Sequence, residues 1–445
     1  MTNATNSKFP LTPIRRFIQD LTDGPFGSSL TSSHYSNEGA RVIRLGNIGS
    51  ATFRDLDEAY ISLDYFSKLL RHEVKAGDLI IAGLGDSNNP VGRACLAPKG
   101  LGPAIVKADC FRVRLDESKL IHRYAAWTLS SSVISQQIRT LTRGTTRTRI
   151  NLDVVREIQV PVPPVDEQRS IAEFLDAETA RIDALANSQQ RLLALLSERR
   201  AAGVVTAVSG GDHADRQPTE LPWLRTLPSH WQEVRVGLVA RMGSGHTPSR
   251  SHPEWWVDCT IPWITTGEVK QVRSDRIEDL HHTREKISEL GLANSSAELC
   301  PQGTVFLCRT ASAGYSGVMG TAMATSQDFV TWTCGPLLNP YFLLWCLRGM
   351  RPDLLGRLAM GSTHKTIYVP DLQMLRIPLP PLAEQAKIVD AIRSQNREID
   401  ALTDKVRRQG ELLAERRQAL ITAAVTGQFD VSTASGRNVT DGVQA

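Results

Sequence analysis

The 445-residue chain has only seven cysteines, an odd number, and no two are spaced Cys-x-x-Cys. Free thiols in a reducing cytoplasm are therefore expected rather than a disulfide framework. No apolar run approaches the ~18 residues of a membrane helix. The opening MTNATNSKFP is polar and has no apolar core of a secretory signal. Charge of either sign is scarcely in excess: 51 Lys and Arg against 47 Asp and Glu give +4, too little to announce nucleic acid. No G-x-x-x-x-G-K-[ST] loop appears, which argues against a nucleotide-driven motor. Gly83-Leu84-Gly85 lacks the third glycine of a dinucleotide fingerprint. Asn339-Pro340-Tyr341 and Asn89-Pro90-Val91 both depart from the Asn/Asp-Pro-Pro-aromatic motif of amino-methyltransferases. His281-His282 has no companion at metal-ligand spacing, so no metal is expected. Asp258, Glu268 and Lys270 faintly resemble a metal-dependent nuclease triad, but Glu-x-Lys recurs at Glu73–Lys75 and Glu117–Lys119. No catalytic centre emerges. With 41% hydrophobic and 22% charged residues, the chain is nevertheless globular, and long enough for two or three domains.

What is present is a repeat. IQVPVPPVDEQRSIAEFLDAETARIDAL (158–185) aligns without a gap on LRIPLPPLAEQAKIVDAIRSQNREIDAL (375–402), at an offset of 217. The same offset carries Gly144 onto Gly361, Ile150 onto Ile367, Gln168 onto Gln385, Glu198-Arg199-Arg200 onto Glu415-Arg416-Arg417 and Gly210 onto Gly427. A period this long is no solenoid, whose units run ~20–50 residues. It is a duplicated pair, a variable half followed by a shared half. Upstream of the shared parts, RVIRLGNI (41–48) and IPWITTGEV (261–269) agree only as strand-then-glycine patterns.

In the shared halves, apolar residues follow Pro-x-Pro-Pro at alternating steps of four and three. The stripes are Ile171, Leu175, Ile182, Leu185, Leu192 and Leu196, then Ile388, Ile392, Ile399, Leu402, Val406 and Leu413. This is the coiled-coil period, and two stripes in one chain can bury each other, so the spacing predicts a pair of long antiparallel helices. The alternative is that each helix packs on its own globular domain or on a partner. From Asp166 to Val208 there are five Arg against seven acids, and from Ala383 to Asp430 eight basic residues against eight acids. The positive excess therefore lies outside the helices.

The variable halves read as mixed α/β (α+β) domains. Expected strands are Val42–Leu45, Asp78–Ala82, Phe111–Arg114, Thr260–Ile264, Thr304–Cys308 and Phe329–Cys334, with helices at Leu120–Leu129 and Tyr341–Arg348. A small, polar, basic stretch precedes each Pro-x-Pro-Pro segment. The first contains Thr145, Thr146, Arg147 and Arg149, the second Ser362, Thr363, His364 and Lys365. Hydroxyls and cationic tips suit phosphate, and Arg also suits guanine's edge. Arg44, Asn47, Thr265, Glu268 and Lys270 stand where strands pass into loops. There Asn would suit adenine and Glu the amino group of cytosine.

VPVPPVDEQRSIAEFLD (160–176), IPLPPLAEQAKIVDAI (377–392), GTTRTRI (144–150), GSTHKTI (361–367), LPSHW (227–231) and LITAAVTGQFDV (420–431) carry a further reading. On these motifs, across nearly its whole length, the chain resembles the specificity subunit of type I restriction–modification systems. The resemblance implies two target-recognition domains at 9–158 and 227–375, each reading one half of a split site in double-stranded DNA. It implies helical spacers at 159–208 and 376–428 that separate the readers and dock two methyltransferase subunits. A linker at 209–226 and a disordered tail at 429–445 complete the expected layout. The resemblance also implies that restriction subunits join the complex in host defence. S-adenosylmethionine, ATP and Mg would sit on those partners, none on this chain, with no membrane partner and no catalysis here. A related bipartite system whose partner fuses nuclease and methyltransferase is the alternative, and a stand-alone nuclease a more distant one.

Overall fold

A computed structural model describes residues 7–86, 88–141, 148–361 and 365–431. Four helices organise the chain: α1 (His122–Leu129), α2 (Val165–Val208), α3 (Pro340–Gly349) and α4 (Leu382–Thr426). The chain divides into two compact units, residues 1–189 with 408–445, and residues 190–407. Each division falls inside a long helix, not at the reader–helix boundaries expected from the repeat.

The first unit contains a four-stranded antiparallel sheet in the order Ile18–Asp23, Cys110–Leu115, Leu79–Ala82, Ala94–Leu96. A five-stranded sheet accompanies it, and within that sheet Ala40–Ile43 runs parallel to Ala104–Val106. The second unit has a sheet in the order Ala240–Ser244, Phe329–Cys334, Val305–Cys308, Ser316–Met319, Asp279–Leu280. Its other sheet pairs Ile261–Ile264 parallel to Ala324–Thr325. The first four strands of that larger sheet repeat the order found in the first unit. Two halves with little sequence in common thus share a topology, because alternation fixes only which face of a strand is apolar.

The start of each long helix is fastened to its own recognition domain by one glutamine. Gln168, fully buried, accepts the Ile121 N–H at 2.9 Å and donates to the carbonyls of Lys119 (2.8 Å) and Pro163 (2.9 Å). In the second unit Gln385, equally buried, accepts the Asn339 N–H at 2.8 Å and donates to Leu337 and Pro380, both at 2.9 Å. A primary amide offers an acceptor and two donors on one planar group, which is the set these three main-chain groups need. The helix ends match as well. Gly210 (φ +91°) and Gly427 (φ +72°) adopt the left-handed conformation that glycine accepts without strain. The residues after them, Gly211 and Gln428, donate back to Thr206 (2.7 Å) and Ala423 (2.9 Å).

Within the first unit, α1 contributes Tyr124, Trp127 and Leu129 to a core completed by Ile171, Leu175 and Ile182 of α2 and Leu420, Ile421 and Val425 of α4. Arg417 Nε donates to Asp183 at 2.9 Å, and Gln189 lies beside Gly410, so the two segments run antiparallel. Within the second unit, α3 packs with Val204 and Val208 of α2 and Val389 and Ile392 of α4. There Arg200 meets Asp400 at 3.5 Å and Gly203 lies against Gln395, again antiparallel.

The stripe expected to pair the helices is buried at Ile171, Leu175, Ile182, Leu196, Ile392, Ile399 and Val406, and partly buried at Ile388 and Leu413. Leu185, Leu192 and Leu402 are exposed instead, at 56%, 39% and 44%. A helix of 3.6 residues per turn drifts ~20° per heptad from a 3.5-residue stripe. Leu185 and Leu402, equivalent in the repeat, have turned to water, while each helix start buries its stripe largely on its own domain.

One further expectation is corrected, and a second is altered only at its start. The segment read as a linker forms a ladder of Arg216–Pro218 with Thr226–Pro228. The Arg216 guanidinium donates to the carbonyls of Gly211, Ser209 and Thr226, while Leu221, Leu224, Leu227 and Trp231 make a small core. The tail read as disordered from 429 begins with Phe429 set edge-on to Phe174, ring centres 5.6 Å apart. Residues 432–445 lie outside the described residues.

Candidate nucleic-acid interface

Both recognition domains carry the same strand-to-turn unit. After the strand Ala40–Ile43, Arg44 is extended (φ −114°, ψ 169°) and a 3-10 turn follows at Leu45–Asn47. After the strand Ile261–Ile264, Thr265 takes φ −116° and ψ 170° before a turn at Thr266–Glu268. The last residue of each turn is polar and points inward. Asn47 is fully buried, accepts the Arg44 N–H at 2.8 Å and donates to the carbonyls of Arg54 (3.0 Å) and Leu56. Glu268 is 2% exposed, and its carboxylate accepts the Arg284 N–H at 3.0 Å and the Gln271 amide. Asn47 and Glu268 are therefore corrected from base-reading candidates to groups that hold their turns, their hydrogen-bonding capacity being used inside the fold. The same engagement removes Glu268 from the nuclease triad.

The neighbouring candidates are less buried. Arg44 reaches the Asp57 carboxylate and donates to the Asp57 carbonyl at 3.1 Å. Thr265 is half-buried, and Lys270, on the short helix Val269–Val272, is exposed.

The C-terminal ends of the basic stretches are tied to equivalent strands. In the first unit, Ile150 N–H donates to Gly83 and Gly85 N–H to Thr148, tying the stretch to the loop after Leu79–Ala82. In the second, Ile367 N–H donates to Arg309, just beyond Val305–Cys308. Arg149 pairs with Asp109 at 2.6 Å and lies 5.9 Å from the Phe26 ring centre, with its side chain 57% exposed. Lys365 is exposed and its Nζ donates to the Leu355 carbonyl at 3.4 Å. Thr145, Thr146, Arg147, Ser362, Thr363 and His364 lie outside the described residues.

Among the described residues, no cluster of three or more His, Cys, Asp or Glu could hold a metal ion, and no helix is long and apolar enough to cross a membrane. The seven thiols are unpaired, and burial pushes those of Cys95 and Cys334 up to about 12.

The type I restriction modification DNA specificity domain model matches twice, at residues 40–194 and 228–408. The chain belongs to this family. Each match spans most of one variable half and the start of the helix after it, the unit that the offset of 217 delimits. The EcoBI specificity subunit of Escherichia coli is 20% identical over 416 residues, 91% of this chain and 83% of that protein. The EcoKI specificity subunit of Escherichia coli K12 is 21% identical over 446 residues, 94% and 88% of the two chains. Among solved structures, a chain from work on complex assembly and conformational transition of the type I system superposes with a TM-score of 0.71 at 18% identity, covering 96% of this chain and all of that one. The HsdS subunit from Thermoanaerobacter tengcongensis gives 0.54 at 19% identity, covering 95% and 97%. These structural likenesses establish the fold. As a member of the family, the chain is a DNA-targeting specificity subunit and not the catalyst.

The buried glutamines are what residue-type reasoning missed. Their signal was present, since Glu-Gln follows Pro-x-Pro-Pro in both copies. The carbonyls they bind come from other segments, which spacing does not reveal.

Proposed function

We propose that each recognition domain reads one half of a bipartite DNA site, and that the shared helices both dock two methyltransferase subunits and set the spacer tolerated between half-sites. The observation that carries this reading is the repetition of one strand-turn-loop face on two domains of unlike sequence. The candidate groups on it are the half-buried Arg44 and the exposed Arg149 on the first domain, and the half-buried Thr265 and the exposed Lys270 and Lys365 on the second. Arg suits guanine and phosphate, while Lys acts as a point charge on phosphate. The methyltransferase partners would bring S-adenosylmethionine and the adenine chemistry, and restriction subunits would bring ATP, Mg and cleavage. The complex would work in the cytoplasm.

The test is an adenine-methylation map of the genome with and without this chain. A split motif that disappears with the chain supports the reading, and an unchanged map contradicts it. Cleavage of DNA by the purified chain with Mg²⁺ alone would favour the nuclease reading instead.

A further inference from the structure

In the first unit, the last turns of α4 face the recognition domain across a cleft of about 400 Å³. Four arginines line it, Arg54, Arg93, Arg139 and Arg417, with Asn89 and Ser132 among the polar groups between them; among the described residues no carboxylate lines it. Arg93 is 6% exposed, and its guanidinium donates to the carbonyls of Leu45, Ile48, Leu84, Asn89 and Pro90. Dipoles, not a counter-ion, solvate that buried cation. Burial and the nearby Arg54 charge pull it below its ordinary pKa. Arg54 is exposed and donates to Asn89 Oδ1 at 3.2 Å. Arg417 stacks on Trp127, 5.7 Å from the ring centre, and its carboxylate partner Asp183 lies outside the lining. Asp86, in the same loop as Asn89, has a carboxylate oxygen that accepts the N–H groups of Asn88 and Asn89.

The corresponding cleft of the second unit differs in the respect that matters. It measures about 470 Å³ and also holds four arginines, Arg200, Arg273, Arg348 and Arg351. Arg200 is the repeat equivalent of Arg417. Here, however, Asp275 lines the cleft and pairs with Arg348 at 3.3 Å and Arg351 at 2.7 Å. That cleft carries a carboxylate in its lining, and among its described residues the first carries none.

We propose that the cleft of the first unit takes a phosphate of the DNA backbone, anchoring the first recognition domain beside its reading loop. Forked guanidinium donors with hydroxyl and amide groups between them are the set that binds phosphate, and a cleft lined by one sign of charge concentrates its field on an anion. The loop bearing Asn89 begins at Gly83–Gly85, which hold the end of the basic stretch through Ile150 and Thr148. The loop that lines the cleft is thus bonded to the end of the basic stretch. The proposal rests on the DNA-reading function above.

The experiment uses the full chain assembled with its methyltransferase subunits. Arg54→Gln with Arg139→Gln changes two exposed residues of the cleft and leaves Arg93 in place. Affinity for a duplex carrying the mapped site is measured over a range of NaCl concentrations. Each phosphate contact contributes about 0.9 to the slope of log affinity against log salt, so the variant's slope should be shallower by about 1. Affinity at low salt should fall roughly tenfold or more, equally on specific and unrelated duplexes, because a phosphate contact carries no sequence information. Sodium phosphate at equal ionic strength should compete more strongly against the wild-type complex than against the variant. An unchanged slope, or a loss confined to one sequence, would overturn the proposal. So would weakened assembly with the methyltransferase in the absence of DNA, which would assign the cleft to an acidic protein segment. Failure of the wild-type complex to bind any duplex would instead remove the DNA-reading function itself.

Discussion

The two recognition domains are fastened to their helices by the same lock but by opposite charges. Counting from the main-chain N–H held by the lock, Arg123 of α1 corresponds to Tyr341 of α3, and Trp127 to Trp345. Counting from the lock glutamine, Asp176 of α2 corresponds to Arg393 of α4. In the first unit Asp176 accepts from Arg123 Nε and from Trp127 Nε1, both at 2.8 Å. In the second, Arg393 lies 4.4 Å from the Tyr341 ring centre and donates to Glu278 at 2.6 Å. Trp345 Nε1 has no partner among the described residues. The glutamine recognises only main chain, so it serves any domain of this fold. The charge recognises side chains, so it is particular to the domain each helix carries. The scaffold is therefore common to both positions and the fit is not.

The largest expected effect tests what is common. Gln168→Leu would strand one N–H and two carbonyls in the first unit, and Gln385→Leu the corresponding groups in the second. At about 1–3 kcal/mol for each buried group left without a partner, either change should cost about 3 kcal/mol or more. Hydrogen-exchange protection should fall in α1 for the first variant and in α3 for the second, to similar extents. A large effect in one unit and none in the other would break the equivalence.

Reversing a charge tests what differs. Asp176→Arg would face Arg123 and leave the Trp127 N–H without its acceptor. Both charged groups are partly exposed, at 43% and 30% of their side chains, so about 1–2 kcal/mol is expected. Adding Arg123→Tyr, the residue found at the equivalent place, should restore most of that loss in denaturant titrations. No recovery would mean that the charge pattern does not decide the fit. The smallest effect sharpens the same point. Both Trp127→Phe and Trp345→Phe leave a cavity in a core, but only the first also removes a hydrogen bond to a carboxylate, so it should cost about 1 kcal/mol more than the second. Equal losses would show that both indoles serve only as packing volume.

Much of this architecture was legible because it is local. The offset of 217, the helix run from Pro-x-Pro-Pro to Gly210 and Gly427, and the strands at Ile261–Ile264 and Phe329–Cys334 all follow from periodicity and punctuation. What was not legible depends on segments distant in sequence. Asn47 looked like a strand-end reader until Arg54 and Leu56 were seen to fold back over it, and Glu268 until Arg284 did so. Leu185 and Leu402 sit on the heptad yet face water, because burial there is decided by the three-dimensional course of the helices. The arginine cleft draws on residues from Ser50 to Gln418, so no window of sequence contains it.

The central claim is that two independent readers, mounted on a shared scaffold, supply the DNA address. It is tested most directly by exchanging residues 9–158 for the matching half of a relative, with the charge at position 176 adjusted to suit, and mapping adenine methylation. The account predicts that one half of the methylated motif changes while the other half is kept. A map in which both halves change, or neither does, would contradict it.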